Sequence, residues 1–224
     1  MSSADRRQFP RVQFFSDSLD EVKVDWPDGE QTSLLDLSYK GMAIEKPSKE
    51  YSKGDKLNIN LDVYGKKVEF EVEVMWSSEK VLGVFLHELS PVAQKLMHKL
   101  LHDRLKGLNL RPIDKKFYSD QLDCDKWYQS SDGTNVFIWK VSGEKSIQKL
   151  HVEYEGVLME YFDGSVRWSW SKELDHYLTD DDNDTEVNSV LHKHLFAMRL
   201  IGLLSHLPQE ELDFKHVFEA LKKE

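Results

Sequence analysis

The sequence predicts an α+β fold in two parts, in each of which antiparallel strands are followed by helix. Residues 57–86 alternate between apolar and polar side chains at the period of a strand, and residues 91–105 then change to the period of a helix. The same change recurs between residues 132 and 224. A chain of 224 residues, 40% of them hydrophobic, is long enough to bury two cores.

The first strands form a predicted β-hairpin. Two alternating runs flank a turn at residues 64–67, and a third apolar run, Val81–Leu86, follows them. Alternation over both strands predicts one buried face. The alternating apolar positions are Leu57, Ile59, Leu61 and Val63, then Val68, Phe70, Val72, Val74 and Trp76.

A helix is predicted after this third run. Ser90 is a favourable N-cap and Pro91 suits the first helical position. The helix is expected to end by Gly107, and residues 109–114, which include Pro112, are expected to connect it to the second half. Its predicted apolar stripe consists of Val92, Leu96, Met97, Leu100, Leu101 and Leu105.

In the second half, three turn dipeptides separate four predicted strands. The turns are Asp132-Gly133, Glu155-Gly156 and Asp163-Gly164. The alternation between them predicts an antiparallel meander with one buried face, covered by a long helix from Val187 to Ile201 and a shorter one from Gln209 onward. The predicted strands are residues 136–141, 150–154, 157–162 and 166–170.

Charge divides the chain near residue 113. Residues 1–113 hold 17 Lys and Arg against 18 Asp and Glu, whereas residues 114–224 hold 13 against 22. Two domains with these bounds are therefore expected. The acidic surface of the second domain would repel phosphate backbones, which disfavours a nucleic-acid polymer and favours a basic protein partner.

Cysteine content and hydropathy indicate a cytoplasmic protein. Cys124 is the single cysteine, so an intramolecular disulfide is excluded and a reducing compartment fits. No apolar run approaches the roughly 20 residues needed to span a bilayer. The first residues also lack the hydrophobic segment of a signal peptide.

Two short motifs occupy the first 41 residues. Arg7 and Arg11 form R-x-x-x-R in a basic arm, and Asp36, Ser38 and Gly41 form D-x-S-x-x-G in a polar turn. Each has an ordinary explanation by itself, a basic tail for the first and a hydrogen-bonded turn for the second. Their order and spacing, followed by alternating strands, indicate a shared ligand site.

These motifs resemble those of the PilZ family, and the resemblance extends over about residues 5–110. It implies a small antiparallel β-barrel, closed by the strand at residues 81–86 and followed by the helix. It also implies a bacterial, non-enzymatic receptor for cyclic di-GMP, without any further cofactor, that controls motility, attachment, exopolysaccharide or virulence. The second half resembles no family with comparable motifs.

The chemistry of the motifs suits a cyclic dinucleotide, which carries two phosphates and two guanine edges. The guanidinium groups of Arg7 and Arg11 can bind phosphate oxygens or the guanine O6/N7 edge, and can stack on the rings. Asp36 would accept hydrogen bonds from the guanine N1 and N2 donors. Ser38 supplies a small hydroxyl, and Gly41 permits close backbone approach or a positive φ.

Arg6 precedes the first motif arginine. In the PilZ family the residue at this position influences whether one nucleotide or an intercalated pair is bound, so Arg6 favours a pair; a solvated arginine is the alternative. Binding is expected to order the arm and to change the domain arrangement. Two other functions remain open: a ligand-independent protein adaptor, and a nucleotide-regulated enzyme with its activity in the second domain.

The remaining candidate sites carry little chemistry. Residues 180–184 resemble a calcium loop, but Thr185 and Leu191 stand where Gly and Glu are needed. His98 and His102 are four residues apart without a third ligand beside them. We expect no metal site and no catalytic residue. His192 and His194 point to different helix faces, Trp168 and Trp170 are expected in sheet packing, and Cys124 is expected to be structural.

Overall fold

The structure, a computed structural model, describes residues 10–14, 22–63, 66–119, 121–170, 185–207 and 212–223. The chain consists of two compact units, Met1–His102 and Asp103–Glu224. The division falls inside a helix, before the predicted boundary at residue 113. Independent folding of the two parts stays a prediction.

The first unit contains a closed antiparallel barrel of six strands, in agreement with the fold implied by the PilZ resemblance. The order around the barrel is β3-β2-β5-β6-β7-β4, and β4 pairs with β3 to close it. The short strand β1 pairs with the end of β3. The strands are β1 (Val12–Gln13), β2 (Val22–Asp25), β3 (Gln31–Ser38), β4 (Gly41–Glu45), β5 (Lys56–Val63), β6 (Lys66–Ser77) and β7 (Val81–Leu86).

Strand register separates the core from the outer surface of this barrel. Leu37 pairs with Met42, Met42 with Val84, and Val84 with Val74, and all four side chains are buried. Because side chains alternate between the two faces of a strand, the neighbouring positions point outward. The register shifts once in β3 and once in β6, which resets the alternation along both strands.

Helix α1 (Pro91–Asn109) follows the barrel. The hydroxyl oxygen of Ser90 accepts a hydrogen bond from the Ala93 N–H at 3.2 Å, which confirms the predicted N-cap. The predicted apolar stripe is wrong at Val92, which is 64% exposed, because Ala93 faces the core instead. The helix also continues past Gly107, which allows close packing and does not end the helix.

The second unit contains an antiparallel sheet in the order β8-β9-β10-β11-β12-β13, which confirms the predicted meander. The first two strands were not predicted, and residues 111–112 are an edge strand where a free connector was expected. Proline is tolerated there because an edge strand can lack an N–H donor. The elements are β8 (Arg111–Pro112), a 3-10 helix (Lys115–Phe117), β9 (Lys126–Gln129), β10 (Asn135–Lys140), β11 (Ile147–Tyr154), β12 (Val157–Phe162), β13 (Ser165–Trp170), α2 (Thr185–Leu204) and α3 (Lys215–Leu221).

A cluster of charged side chains joins the elements of the second unit. Asp103 accepts hydrogen bonds from the Tyr154 hydroxyl and from Arg199, whose Nη2 lies 3.0 Å from Asp103 Oδ1. Burial and the hydrogen bond to Asp103 raise the pKa of Tyr154. This Asp103 cluster comprises Asp103, Lys106, Asp132, Tyr154, Glu155 and Arg199.

None of the helices in the described parts of the chain is long and apolar enough to cross a membrane.

Candidate functional site

The D-x-S-x-x-G motif forms the tight connection between β3 and β4. Ser38, the last residue of β3, pairs with Gly41, the first residue of β4. The buried Ser38 hydroxyl donates a hydrogen bond to the Gly41 carbonyl at 3.0 Å. The Leu86 N–H donates to the Lys40 carbonyl at 3.1 Å, which ties the turn to the end of β7. The turn therefore has a fixed backbone.

Gly41 occupies a position without room for a side chain. A Cβ placed on it would lie 2.6 Å from the backbone oxygen of Val84. Its φ is outside the left-handed region. Of the two explanations for this glycine, close backbone approach therefore applies and positive φ does not.

Arg11 and Asp36 form an ion pair at the barrel surface. Arg11 immediately precedes β1, and its Nη1 donates to Asp36 Oδ1 at 2.5 Å. The Ala43 N–H donates to the same carboxylate oxygen at 3.1 Å. About a quarter of each charged side chain is exposed, so the pair is accessible while its orientation is held by charge-assisted bonds.

The structure therefore brings four of the six predicted site residues to one end of the β3–β4 hairpin: Arg11, Asp36, Ser38 and Gly41. Arg6 and Arg7 lie outside the described residues. Direct contact between an arginine and the motif aspartate was not predicted. The two residues are 25 positions apart and give no local sequence signal, and only the pairing of β1 with β3 makes them neighbours.

The family model for the PilZ domain matches residues 5–103. The N-terminal part of this chain is a PilZ domain. The match includes the motifs and the barrel, which confirms the recognition made from residues 7–41. It ends one residue after the first compact unit, so all of the second unit except Asp103 lies outside it.

Several solved structures show a low overall similarity to this chain. The Legionella protein Lpg0364 is 16% identical, with 43% of this chain and 94% of that chain covered, at a TM-score of 0.33. Escherichia coli YcgR in complex with c-di-GMP is 18% identical, with 43% and 45% covered, at 0.34. The YcgR PilZ domain with c-di-GMP is 16% identical, with 52% and 99% covered, at 0.36. The comparison with curated proteins finds no match.

Two outward rows of residues continue the motif surface across the PilZ barrel. In the first row Asp36 pairs with Ala43, Ala43 with Gly83, and Gly83 with Trp76. The second row runs alongside it and consists of Ser38, Gly41, Phe85 and Glu73. Sequence reasoning missed the aromatic end of this surface. The relevant signal is the pairing of Gly83 with Trp76, and this pairing is known only once the register of β6 and β7 has been determined.

The other candidate groups do not assemble into a site within the described residues. The rings of His98 and His102 lie 5.2 Å apart, yet no group of three or more His, Cys, Asp or Glu suited to a metal occurs in the part of the chain that the structure describes. Cys124 is buried, and burial raises the pKa of its thiol. Residues 180–184 and the side chains of His192, His194 and Trp170 lie outside the described set.

Proposed function

We propose that this PilZ domain is a receptor for cyclic di-GMP and that it binds the nucleotide at the surface of Arg11, Asp36, Ser38 and Gly41. The observation that supports the proposal is the Arg11–Asp36 pair, held at 2.5 Å beside the Ser38–Gly41 turn. Arg7, and Arg6 if a nucleotide pair is bound, would add positive charge from the arm.

The geometry gives each residue a role in this proposal. Asp36 Oδ1 holds one side of the Arg11 guanidinium, and the remaining N–H groups of this side chain can donate to a phosphate or to guanine O6/N7. A guanine edge would approach the second oxygen of Asp36. Because Gly41 has no side chain, the turn packs directly against the backbone oxygen of Val84, which fixes the end of the hairpin where the nucleotide would lie.

The proposed output is regulation of a protein partner without catalysis. The excess of acidic residues in the second half favours a basic partner surface, and a cytoplasmic location in a bacterium fits this role. Ligand binding would order the arm and shift the arrangement of the chain toward the form that binds nucleotide better. The adaptor that needs no ligand and the nucleotide-regulated enzyme remain the competing functions.

Calorimetric titration of cyclic di-GMP into the full chain tests the proposal. Arg7→Ala and Arg11→Ala should each cost about 2–4 kcal/mol, or about 30-fold or more in affinity, because a charge-assisted contact is lost. Arg11→Lys should also bind weakly, since an ammonium group cannot fork or stack. The exposed Arg111→Ala is the matched control and should bind like the unaltered protein.

Full affinity in Arg7→Ala or Arg11→Ala would contradict the assignment. The end point of the titration also tests the role of Arg6, for which two nucleotides per chain are expected. One nucleotide per chain, in a protein shown by sizing to be monomeric, would count against an intercalated pair.

A further inference from the structure

We propose that the outer face of α1 is a docking surface for an acidic segment of a partner protein. This surface, the basic face of α1, consists of Val92, Lys95, His98, Lys99 and His102. It lies on a different element from the motif residues, and docking on it does not require a bound nucleotide. The inference therefore goes beyond the proposed function, in which the second half of the chain faces a basic partner.

Helical spacing brings the charged side chains of the basic face together. Lys95 and Lys99 are about one turn apart, as are His98 and His102, whose ring centroids lie 5.2 Å from each other. Lys95, His98 and Lys99 are exposed, and His102 is half-buried. At about 1.5 Å of rise per residue, the face extends about 15 Å from Val92 to His102. The helix thus presents a continuous stripe of lysines and of histidines that can also become cationic.

The opposite face of the same helix is already buried. Ala93, Met97, Leu100 and Leu101 are each at most 4% exposed. The apolar stripe of α1 is therefore covered within the protein, and the basic face is the side that remains accessible to another molecule.

The cations of the basic face have no carboxylates beside them on the helix. Residues 91–102 contain no Asp or Glu. In the part of the chain that the structure describes, no ion pair joins Lys95, His98 or Lys99 to a carboxylate. The chain as a whole has 40 Asp and Glu against 30 Lys and Arg, so the basic face is a local positive surface on an acidic protein.

This charge pattern does not favour the helix itself. Lys95 and Lys99 are like charges at i and i+4, an arrangement that destabilises a helix. Lys95→Glu would replace the repulsion by an ion pair with Lys99 in the favourable order, with the glutamate nearer the N-terminus. Helix stability therefore does not explain the two lysines, whereas carboxylates of a docked partner would.

Val92 indicates the kind of anion that fits this surface. It is 64% exposed at the N-terminal end of the face, where an apolar side chain of a protein segment can cover it. The net charge of −10 opposes the approach of the chain to a nucleic acid or to an anionic lipid surface. A partner helix with carboxylates one turn apart and an apolar neighbour matches the face, as charged flanking positions do in coiled coils.

The probe is a synthetic helical peptide of about 20 residues, which is long enough to be helical in water, with Glu on one face and Leu beside it. Amide chemical shifts of the full chain, measured by NMR, locate its binding. The peptide should shift the amides of residues 91–102, and a peptide with Gln in place of every Glu should not. Raising the salt from about 0.05 to 0.5 M should weaken binding, because it screens the attraction.

Lys95→Glu separates docking from a structural role. It should bind the acidic peptide about 5- to 30-fold more weakly, because an attractive pair becomes a repulsive one. Its melting temperature should nevertheless rise through the new pair with Lys99. Lys53→Glu is the matched control, since Lys53 is an exposed lysine in a turn of the same unit, and it should bind the peptide like the unaltered protein.

Three outcomes would overturn the inference. The first is that the acidic peptide leaves the amides of residues 91–102 unshifted, and the second is an equal loss of binding in Lys53→Glu, which would mean that only net charge matters. The third is equal or tighter binding, dependent on Lys95, to duplex DNA or to vesicles of equal parts phosphatidylcholine and phosphatidylserine. Peptide binding by a protein that does not bind cyclic di-GMP would support the inference and contradict the proposed function.

Discussion

At the residue scale, Asp36 connects two parts of the motif surface. Its Oδ1 accepts from Arg11 and from the backbone of Ala43, so the carboxylate orients the arginine and is itself oriented by β4. In the proposed complex an aspartate in this position would act on the ligand partly through the arginine. Its contribution to binding should therefore depend on whether Arg11 is present.

A double-mutant cycle tests this dependence. Asp36→Ala and Arg11→Ala should each weaken cyclic di-GMP binding, but the double variant should lose less affinity than the two single losses combined, by about 0.5–3 kcal/mol. Calorimetry on the four proteins measures this coupling. Additive losses would mean that Asp36 acts on the guanine edge independently of Arg11, as the sequence alone suggests.

Asp132 provides a residue-scale prediction about pH. Burial raises its pKa, but hydrogen bonds from Ser130, Lys106 and Thr134 outweigh burial, so the pKa of Asp132 lies well below its ordinary value. The unfolded chain, in which an aspartate has a pKa of about 3.9, then takes up this proton first as the pH falls. The stability that Asp132 contributes is present above about pH 4 and is lost as the pH falls through its folded pKa.

Asp132→Asn tests this prediction because asparagine also suits the turn before Gly133. Its free energy of unfolding should be lower than that of the unaltered protein at pH 7, and the difference should shrink as the pH is lowered from about 5 to 3. Denaturant titrations at each pH measure it. Asp163→Asn, at another exposed Asp-Gly turn, is the control; a difference of equal size there, or one independent of pH, would refute the role of the Lys106 contacts.

Sequence reasoning identified the motif residues because their types, order and spacing are specific. It could not show that Arg11 contacts Asp36 or that Trp76 lies in the same row, because both facts depend on strand register. Two register shifts, one in β3 and one in β6, determine which side chains point outward, and neither has a local signature in the sequence.

At the scale of elements, Gly107 shows how one glycine sets the distance between helices. A Cβ at this position would lie 2.1 Å from the backbone oxygen of Leu203, so α1 and α2 meet at this point with no side chain between them. Helix propensity and packing make opposite predictions for alanine here. Propensity favours alanine over glycine by about 1 kcal/mol, whereas overpacking costs about 1–3 kcal/mol.

We expect Gly107→Ala to destabilise the protein despite its higher helix propensity. The backbone oxygen cannot move aside as a flexible side chain would, so α1 and α2 must separate. Denaturant unfolding followed by circular dichroism measures the effect. Leu108→Ala, at a neighbouring position that is 47% exposed, should change stability by much less; a more stable Gly107→Ala protein would contradict the close packing.

The elements were predicted more reliably than their ends. Alternation and turn dipeptides located the hairpin of β5 and β6 and the strands β10 to β13. The edge strand β8 was missed because Pro112 and its short length are typical of a connector. Gly107 predicts a helix stop for a similar reason, since a glycine required by a neighbouring element is indistinguishable in sequence from a C-terminal cap.

At the scale of the whole molecule, the division inside α1 changes which fragments should fold. Residues 103–112 supply Asp103, Lys106 and strand β8 to the second unit. A fragment of residues 114–224 lacks the buried Asp103 and keeps only the more exposed Glu155 as a carboxylate partner of Arg199, and the loss of one member of a buried ion pair is strongly destabilising. We therefore expect this fragment to unfold without cooperativity.

A fragment of residues 90–224, which keeps the whole of α1 and its Ser90 cap, should unfold cooperatively. The same fragment with Asp103→Ala is the matched control and should be less stable. Cooperative thermal unfolding of residues 114–224 would contradict the importance of the Asp103 cluster.

Residues 1–111 should fold and bind cyclic di-GMP by themselves. Hydrogen exchange at residues 108–116 of the full chain, measured with and without nucleotide, would show whether binding reaches the second unit.

The Asp103 cluster has a consequence for the protein during its own synthesis. Asp103 precedes Tyr154 by 51 residues and Arg199 by 96. At about 5–20 residues per second, the ribosome adds Arg199 about 5–20 s after Asp103. All barrel strands have been translated by Leu86, so the barrel can close while the rest of the chain is still being made. Until α2 has left the ribosome, Asp103 and Gly107 at the end of α1 lack the residues that they contact in the folded protein. This helix is among the last segments of the chain to be made.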